Sequence, residues 1–182
     1  ASVKVPTFSW LKITGLDTVL GPEMKSTGEA MGHGPNFGTA YLKAMKGGNK
    51  KIPTKGTVFL SISNKLKVEF IDLAKRLKKL GFNLIATKGT AAHLRASKID
   101  SKVIWRISDK KSPDILSIMR EGNVNLIINL PTGKRAATDG AQMRRLAVEL
   151  GIPFITTITG ADAAIKSIEE GENNYLMPIN KK

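Results

Sequence analysis

Cysteine is absent from the 182 residues. That removes disulfides, thiolate metal ligands and a cysteine nucleophile, and it fits an intracellular, cytoplasmic protein. Aromatic residues make up only 5%, too few to supply the base-stacking platforms that single-stranded nucleic acid uses. Histidine occurs twice, at His33 and His93, and no carboxylates stand at metal-ligand spacing from either, so no metal site is expected. No apolar run reaches membrane-spanning length and no signal-peptide pattern opens the chain. The first residue is Ala1, as expected of a processed chain or a piece of something longer. Carboxylates are scarce: 15 stand against 29 lysines and arginines, for a net charge of +14. Such a surplus favours an anionic partner, whether nucleic acid, phosphorylated metabolite or acidic protein surface, or else forms a solvated basic face. Lys65, Lys67, Lys75, Arg76, Lys78 and Lys79 all fall in one predicted helix.

Familiar catalytic signatures are missing too. Thr132-Gly133-Lys134-Arg135 is not a Walker A loop, because the residue five places before Gly133 is Ile128, inside a predicted strand. No G-x-G-x-x-G follows a strand, and no G-x-S-x-G elbow is present.

Hydrophobic content is 41%, enough for one globular domain, with or without an appendage. Residues 1–50 are rich in glycine and turn residues, with a short helix expected from Asn36 to Met45, and they read as the end of another domain. Gly47 to Pro53 reads as a linker, with 51–56 leading into the next domain. From Thr57 to about residue 170 strand and helix alternate five times. Strands are expected at Thr57–Ser61, Phe82–Ala86, Lys102–Ile107, Val124–Leu130 and Ile152–Thr156. Leu66, Phe70, Leu73, Leu77 and Leu80 mark one face of the first helix, which ends at Gly81. The second helix is expected from about Thr90 to Ser97. Ser112-Pro113-Asp114 predicts a serine-capped helix start, and Thr159 with Asp162 a capping box. Residues 171–182 form a polar tail. This is the pattern of an α/β domain with a mainly parallel sheet and helices on both faces.

Ligands of such sheets bind at the carboxyl ends of the strands. The residues expected there are Ser61 and Ser63; Thr87, Lys88, Gly89 and Thr90; Arg106 and Ser108; Asn129, Thr132, Lys134 and Arg135; and Thr156, Thr157 and Thr159. Hydroxyls, amides and cations recur. Phe82 to Leu94 organises the set: a buried strand, a Thr-Lys-Gly-Thr turn, then a helix whose first N–H groups are free to bind an anion. Together these residues predict a pocket for a nucleotide or sugar phosphate.

Residues 57–168 resemble the methylglyoxal-synthase-like fold, a three-layer α/β/α domain with a five-stranded sheet. Within it they resemble the C-terminal regulatory domain of the carbamoyl-phosphate synthase large chain. The marks are Ala86-Thr87-Lys88-Gly89-Thr90-Ala91, Ile127-Ile128-Asn129, Gly133-Lys134-Arg135-Ala136 and Arg144-Arg145. Residues 20–46, with Gly21-Pro22-Glu23-Met24-Lys25-Ser26-Thr27-Gly28-Glu29, are similar to the end of that enzyme's second ATP-grasp synthetase unit. The resemblance implies an allosteric module without catalytic residues of its own. It would bind UMP or IMP and tune the ATP-dependent synthesis of carbamoyl phosphate for pyrimidine and arginine production. ATP and Mg or Mn would belong to the full-length enzyme. The partners implied are the rest of the large chain and the glutaminase small chain, with no nucleic acid and no membrane. Carried over by position, the phosphate-binding residues of the effector site fall on Ser61, Lys67, Thr87, Gly89, Thr90, Arg106 and Asn129. Lys88, Thr132 and Lys134 stand beside them, and Thr156 matches a threonine near an ornithine site. Arg106 stands where lysine is usual, Lys88 where histidine is, Pro131 where a hydroxyl residue is, and Phe154 where tyrosine is.

Two relatives of the fold offer other readings. Methylglyoxal synthase eliminates phosphate from dihydroxyacetone phosphate, and Asp114 and Asp139 match two of its acids. Its histidines, however, become Ser63 and Ala136, and another acid becomes Leu130. A cousin binding N-acetylglutamate has tryptophan at the Arg106 position, whereas Trp105 here is one position off.

Overall fold

The computed structural model describes residues 1–10, 22–131 and 137–171. The expected site residues Thr132 and Lys134, with Gly133, Arg135 and Ala136, lie outside that description, as does the chain beyond Gly171. The described residues fall into two compact units, one comprising 1–9, 22–52 and 163–171 and the other built on 53–162.

In the first unit, β1 (Ser2–Thr7) and β2 (Gly28–His33) pair antiparallel, and α1 (Phe37–Gly47) lies on them. Gly32 lets the helix approach: a Cβ there would run into the Ala40 carbonyl. Asn36 caps α1 by accepting the Thr39 N–H at 2.8 Å, and the Gly38 N–H donates to the Glu170 carboxylate at 2.8 Å. A negative charge is thereby held at the positive end of the helix.

The second unit is built on a parallel sheet. Its strands are β3 (Thr57–Ile62), β4 (Asn83–Thr87), β5 (Lys102–Ile104), β6 (Leu126–Leu130) and β7 (Phe154–Ile155), in the order β5-β4-β3-β6-β7. Every neighbouring pair runs parallel. The helices are α2 (Lys67–Lys79), α3 (Lys88–Ala96), α4 (Ile115–Arg120), α5 (Ala137–Glu149) and α6 (Ile158–Glu170), whose last residues fall in the first unit.

Alternation along the strands assigns the two faces. Phe59, Ile85, Ile104 and Ile127 point one way, into a core with Ile115, Ile118 and Met119 of α4 and Met143 and Ala147 of α5. Val58, Leu60, Leu84, Ala86, Leu126 and Ile128 are buried on the other face. Helix α2 is amphipathic because Phe70, Leu73, Ala74 and Leu77 are buried while Glu69, Lys75, Lys78 and Lys79 are exposed. At its end Gly81 takes φ +83°, so that the Phe82 N–H reaches back to the Leu77 carbonyl at 3.1 Å.

Several local expectations differ from the structure. Helix α3 starts at Lys88, two residues before Thr90. Strand β5 ends at Ile104 although Lys102 to Ile107 alternates like a strand: Trp105 makes one bridge to Asp114, and the Arg106 N–H turns to the Asp109 carboxylate at 3.1 Å. Asp114, not Ser112, caps α4, accepting the Ser117 N–H at 2.9 Å. No Thr159–Asp162 box forms. The Thr157 hydroxyl accepts the Gly160 N–H at 3.1 Å, and Asp162 is ion-paired with Arg76. Asp114→Ala is expected to lower stability by about 1 kcal/mol, read as a lower urea midpoint at unchanged slope. Asp114→Asn, which keeps a capping oxygen, should avoid most of that loss.

Candidate functional site

The carboxyl ends of the three central strands carry one polar row. Ser61 pairs with Asn129 across β3 and β6, and Thr87 is level with Ser61 one step beyond the Leu60–Ala86 pair. The row continues the apolar one formed by Ile85, Phe59 and Ile127, on the same face two residues on. The sheet thus passes from core to hydrogen-bonding surface in one step.

Chain geometry then sets a cation against a helix start. Strand β3 leaves the sheet through Ser63 and a single 3-10 turn at Asn64–Leu66, which brings Lys67 to the first position of α2. Its ammonium lies 3.3 Å from where a Cβ of Gly89 would stand. Gly89 is the second residue of α3, in the turn whose N–H groups have no intrahelical acceptors. Among the described residues Lys67 has no ion pair. A cation beside the positive end of a helix is unfavourable by itself and becomes favourable with an anion between them.

The two threonine hydroxyls of the turn have partners inside the fold. Thr87 makes no side-chain cap bond; its hydroxyl donates to the Thr90 hydroxyl at 3.0 Å. Thr90 also accepts the Ile62 N–H at 3.0 Å and lies 3.4 Å from the Ile62 carbonyl, to which it donates. Its one hydrogen and two lone pairs are all engaged, at 2% exposure. The pair therefore ties the start of α3 to the end of β3. The donors facing outward are the first N–H groups of α3 and the Lys67 ammonium. The Ser63 hydroxyl, next in the chain after β3, is enclosed without a hydrogen-bond partner.

The remaining expected residues are placed as follows. Lys88 is exposed. The Arg106 side chain is 62% exposed and its Nε lies 3.7 Å from Asp109. Trp105 is covered by the Lys111 ammonium, 4.5 Å from the ring centre. Asp139 accepts the Ser108 N–H at 3.2 Å, fixing the turn after β5 to the first turn of α5. Thr156, just past β7, is exposed. His93 sits in the last turn of α3. Asn129 is buried at 4% exposure, and Arg144 is buried at 8%. The pattern Arg144-Arg145 is visible in the sequence, but a helical arginine reads as a solvated one until the fold shows it buried.

A shallow depression of about 510 Å³ lies at the opposite, amino-terminal ends of the strands, rimmed by Lys78, Lys102, Asp100 and Glu121. Its charges are of both signs, and its polar groups serve the fold: the Thr57 N–H donates to Asn125 and Asn123 donates to Glu121. The converging donors are at the carboxyl ends. Among the described residues no helix is long and apolar enough to cross a membrane, and no group of three acids and histidines is placed to hold a metal.

The fold is that of an MGS-like domain, the family that matches residues 69–156. A methylglyoxal synthase from Elizabethkingia anophelis shares the fold, with a TM-score of 0.50 at 19% identity over 63% of this chain and 79% of its own. Closer similarity in sequence lies elsewhere. The chain is 49% identical over 175 residues to the "Carbamoyl phosphate synthase large chain, C-terminal section" of Methanocaldococcus jannaschii, covering 96% of this chain and 28% of that protein. It is 47% identical over 177 residues to the carbamoyl phosphate synthase large chain of Archaeoglobus fulgidus, covering 97% of this chain and 16% of that one. The chain belongs to the family of carbamoyl phosphate synthase large chains and is similar to their C-terminal sections. It spans less than a third of the length of either relative.

Proposed function

We propose that this chain is an allosteric regulatory module, in which residues 57–170 bind a nucleotide effector of the UMP or IMP type at the carboxyl ends of the sheet. The observation that carries the reading is the Lys67 ammonium at the start of α3, with no carboxylate paired to it among the described residues. The effector phosphate occupies the space between Lys67 and the first N–H groups of α3. Thr87 and Thr90 hold those groups in place, and Ser61, Ser63 and Asn129 supply the neighbouring polar surface. Lys88 and Arg106, both exposed, add positive charge at the mouth. Thr132 and Lys134, which follow β6 in the sequence, complete the proposed set. In the whole protein the module tunes the ATP-dependent synthesis of carbamoyl phosphate, with the remainder of the large chain and the glutaminase small chain as partners. Residues 1–50 are then the end of a synthetase unit, and Thr156 is a neighbour of an ornithine site. Transmission requires a coupling free energy, typically about 1–3 kcal/mol, between effector and active site.

Thermal unfolding of the 182-residue chain with UMP, IMP and N-acetylglutamate tests this. A ligand at about 100 times its Kd adds about 2.7 kcal/mol of stability. A shift with UMP or IMP alone is the expected result. A shift with N-acetylglutamate alone would keep the regulatory role and change the ligand. No shift with any of them would remove the nucleotide site from this chain.

The methylglyoxal synthase reading lacks its acid–base set. Ser63 and Leu130 stand at two of the positions concerned, and Leu130 is fully buried, so neither abstracts a proton beside a carbonyl. Incubation with dihydroxyacetone phosphate is expected to release no methylglyoxal above the uncatalysed rate; sustained turnover would overturn the regulatory assignment.

A further inference from the structure

The polar row at the carboxyl ends of the strands is covered. Thr87 is 7% exposed and Asn129 4%, and the Ser63 hydroxyl beside them is enclosed. A ligand reaches such a row only after something over it moves. At one end of the row Thr87 pairs with Ile104, the last residue of β5. There the chain leaves the sheet through Trp105 into a single 3-10 turn at Ile107–Asp109. At the other end the first turn of α5 stands against Asn129: a Cβ on Gly140 would lie 3.5 Å from its Nδ2. A hydrogen bond joins the two segments, donated by the Ser108 N–H to the Asp139 carboxylate at 3.2 Å. In the sheet β4 and β3 separate β5 from β6, three strand spacings or about 14 Å. Four residues from Ile104 to Ser108, at up to about 3.5 Å each, and the Asp139 side chain reaching to meet them span that width. Ile107 packs on the core that α4 and α5 cover, the face on which the row lies. The turn therefore runs across the row from its Thr87 end toward its Asn129 end.

Its hold on the far side is light. The Ser108–Asp139 bond is exposed to solvent, and Ile107 is only half-buried. Other bonds of the turn are internal: the Arg106 N–H to the Asp109 carboxylate and the Lys110 N–H to the Ile107 carbonyl. They leave it able to lift as a unit. Segments that move for ligands come from such lightly held parts of a fold.

We infer that residues 106–109 are a strap over the effector site, latched to α5 by the Asp139 carboxylate, and that the effector enters and leaves through the opening of this latch. The inference rests on the reading of the site given above and adds its gate. Asp139 touches no ligand. It is a positioning residue that sets how long the strap stays shut.

NMR exchange measurements on the 182-residue chain with UMP give the association and dissociation rates separately. Asp139→Ala removes the latch and is expected to raise both rates about three- to tenfold, with the Kd moving by less than either. A defect in folding alone would not speed association. Asp139→Asn keeps an oxygen acceptor for the Ser108 N–H and should stay near wild type. Hydrogen exchange of the wild-type chain is the second measurement and needs no variant: saturating UMP should slow the amides of residues 106–109. Slower or unchanged association in Asp139→Ala, or equal rates in the alanine and asparagine variants, would overturn the latch while leaving the nucleotide site standing. Strap amides that bound UMP leaves unchanged would do the same. A wild-type chain that binds no UMP would overturn the site and this inference together.

Discussion

Lys67→Gln is expected to move ligand affinity and intrinsic stability in opposite directions. The side chain retains most of its length and loses its charge. Hydrogen bonds to charged groups contribute about 1.5–3 kcal/mol, so nucleotide affinity should fall by roughly one to two orders of magnitude. Without ligand, the same substitution removes a cation from the positive end of α3, which should stabilise the fold by about 0.3–1 kcal/mol. Calorimetry for affinity and urea unfolding for stability, on the same two proteins, give both signs. A loss of affinity with a loss of stability would mean that Lys67 is chiefly a packing residue. Unchanged affinity would put the phosphate elsewhere. The loss should also be the more pronounced at low salt, because part of the Lys67 contribution is Coulombic and screened.

How much of this was legible beforehand varies with the scale of the signal. The alternation of apolar runs and amphipathic segments from Thr57 onward depends on burial of whole faces, and it carries through to the five-stranded parallel sheet. Local ends do not depend on burial, and they read poorly. Lys102 to Ile107 alternates like a strand, yet the Asp109 carboxylate draws the chain into a turn after Ile104. Thr159 and Asp162 have capping-box spacing, but Thr157, two residues earlier, takes the cap and Arg76 takes the acid. At the site, residue types were visible and their directions were not. Thr87-Lys88-Gly89-Thr90 announces a helix start with hydroxyls beside it. Only the packing of α3 on β3 determines that the hydroxyls bond to each other and to Ile62. Lys67 follows from a resemblance, while its position against Gly89 follows from the one-turn passage between β3 and α2. Arg144 shows the opposite limit. Charge argues for the surface, and nothing in its neighbours along the chain says that it is buried.

Thr90 carries the largest expected effect on stability. Thr90→Val keeps the shape of the side chain and removes its hydroxyl, leaving the Ile62 N–H and the Thr87 hydroxyl facing a methyl group at a buried position. A buried donor without an acceptor costs about 1–3 kcal/mol, so the two together should lower stability by roughly 2–5 kcal/mol. Thr90→Ser keeps the hydroxyl and gives up one methyl, for about 1 kcal/mol. The ordering wild type, serine, valine is the test, in chemical denaturation without ligand. If valine is as stable as serine, the hydroxyl does not tie α3 to β3. A direct phosphate ligand would behave differently: valine would lose affinity at little cost to the fold. With Thr90 as a tether, affinity falls because the N–H groups at the start of α3 are no longer held, and amide exchange in residues 87–91 should quicken in the valine variant before any ligand is added. That exchange, measured without ligand, distinguishes a threonine that positions the donors from one that touches the phosphate.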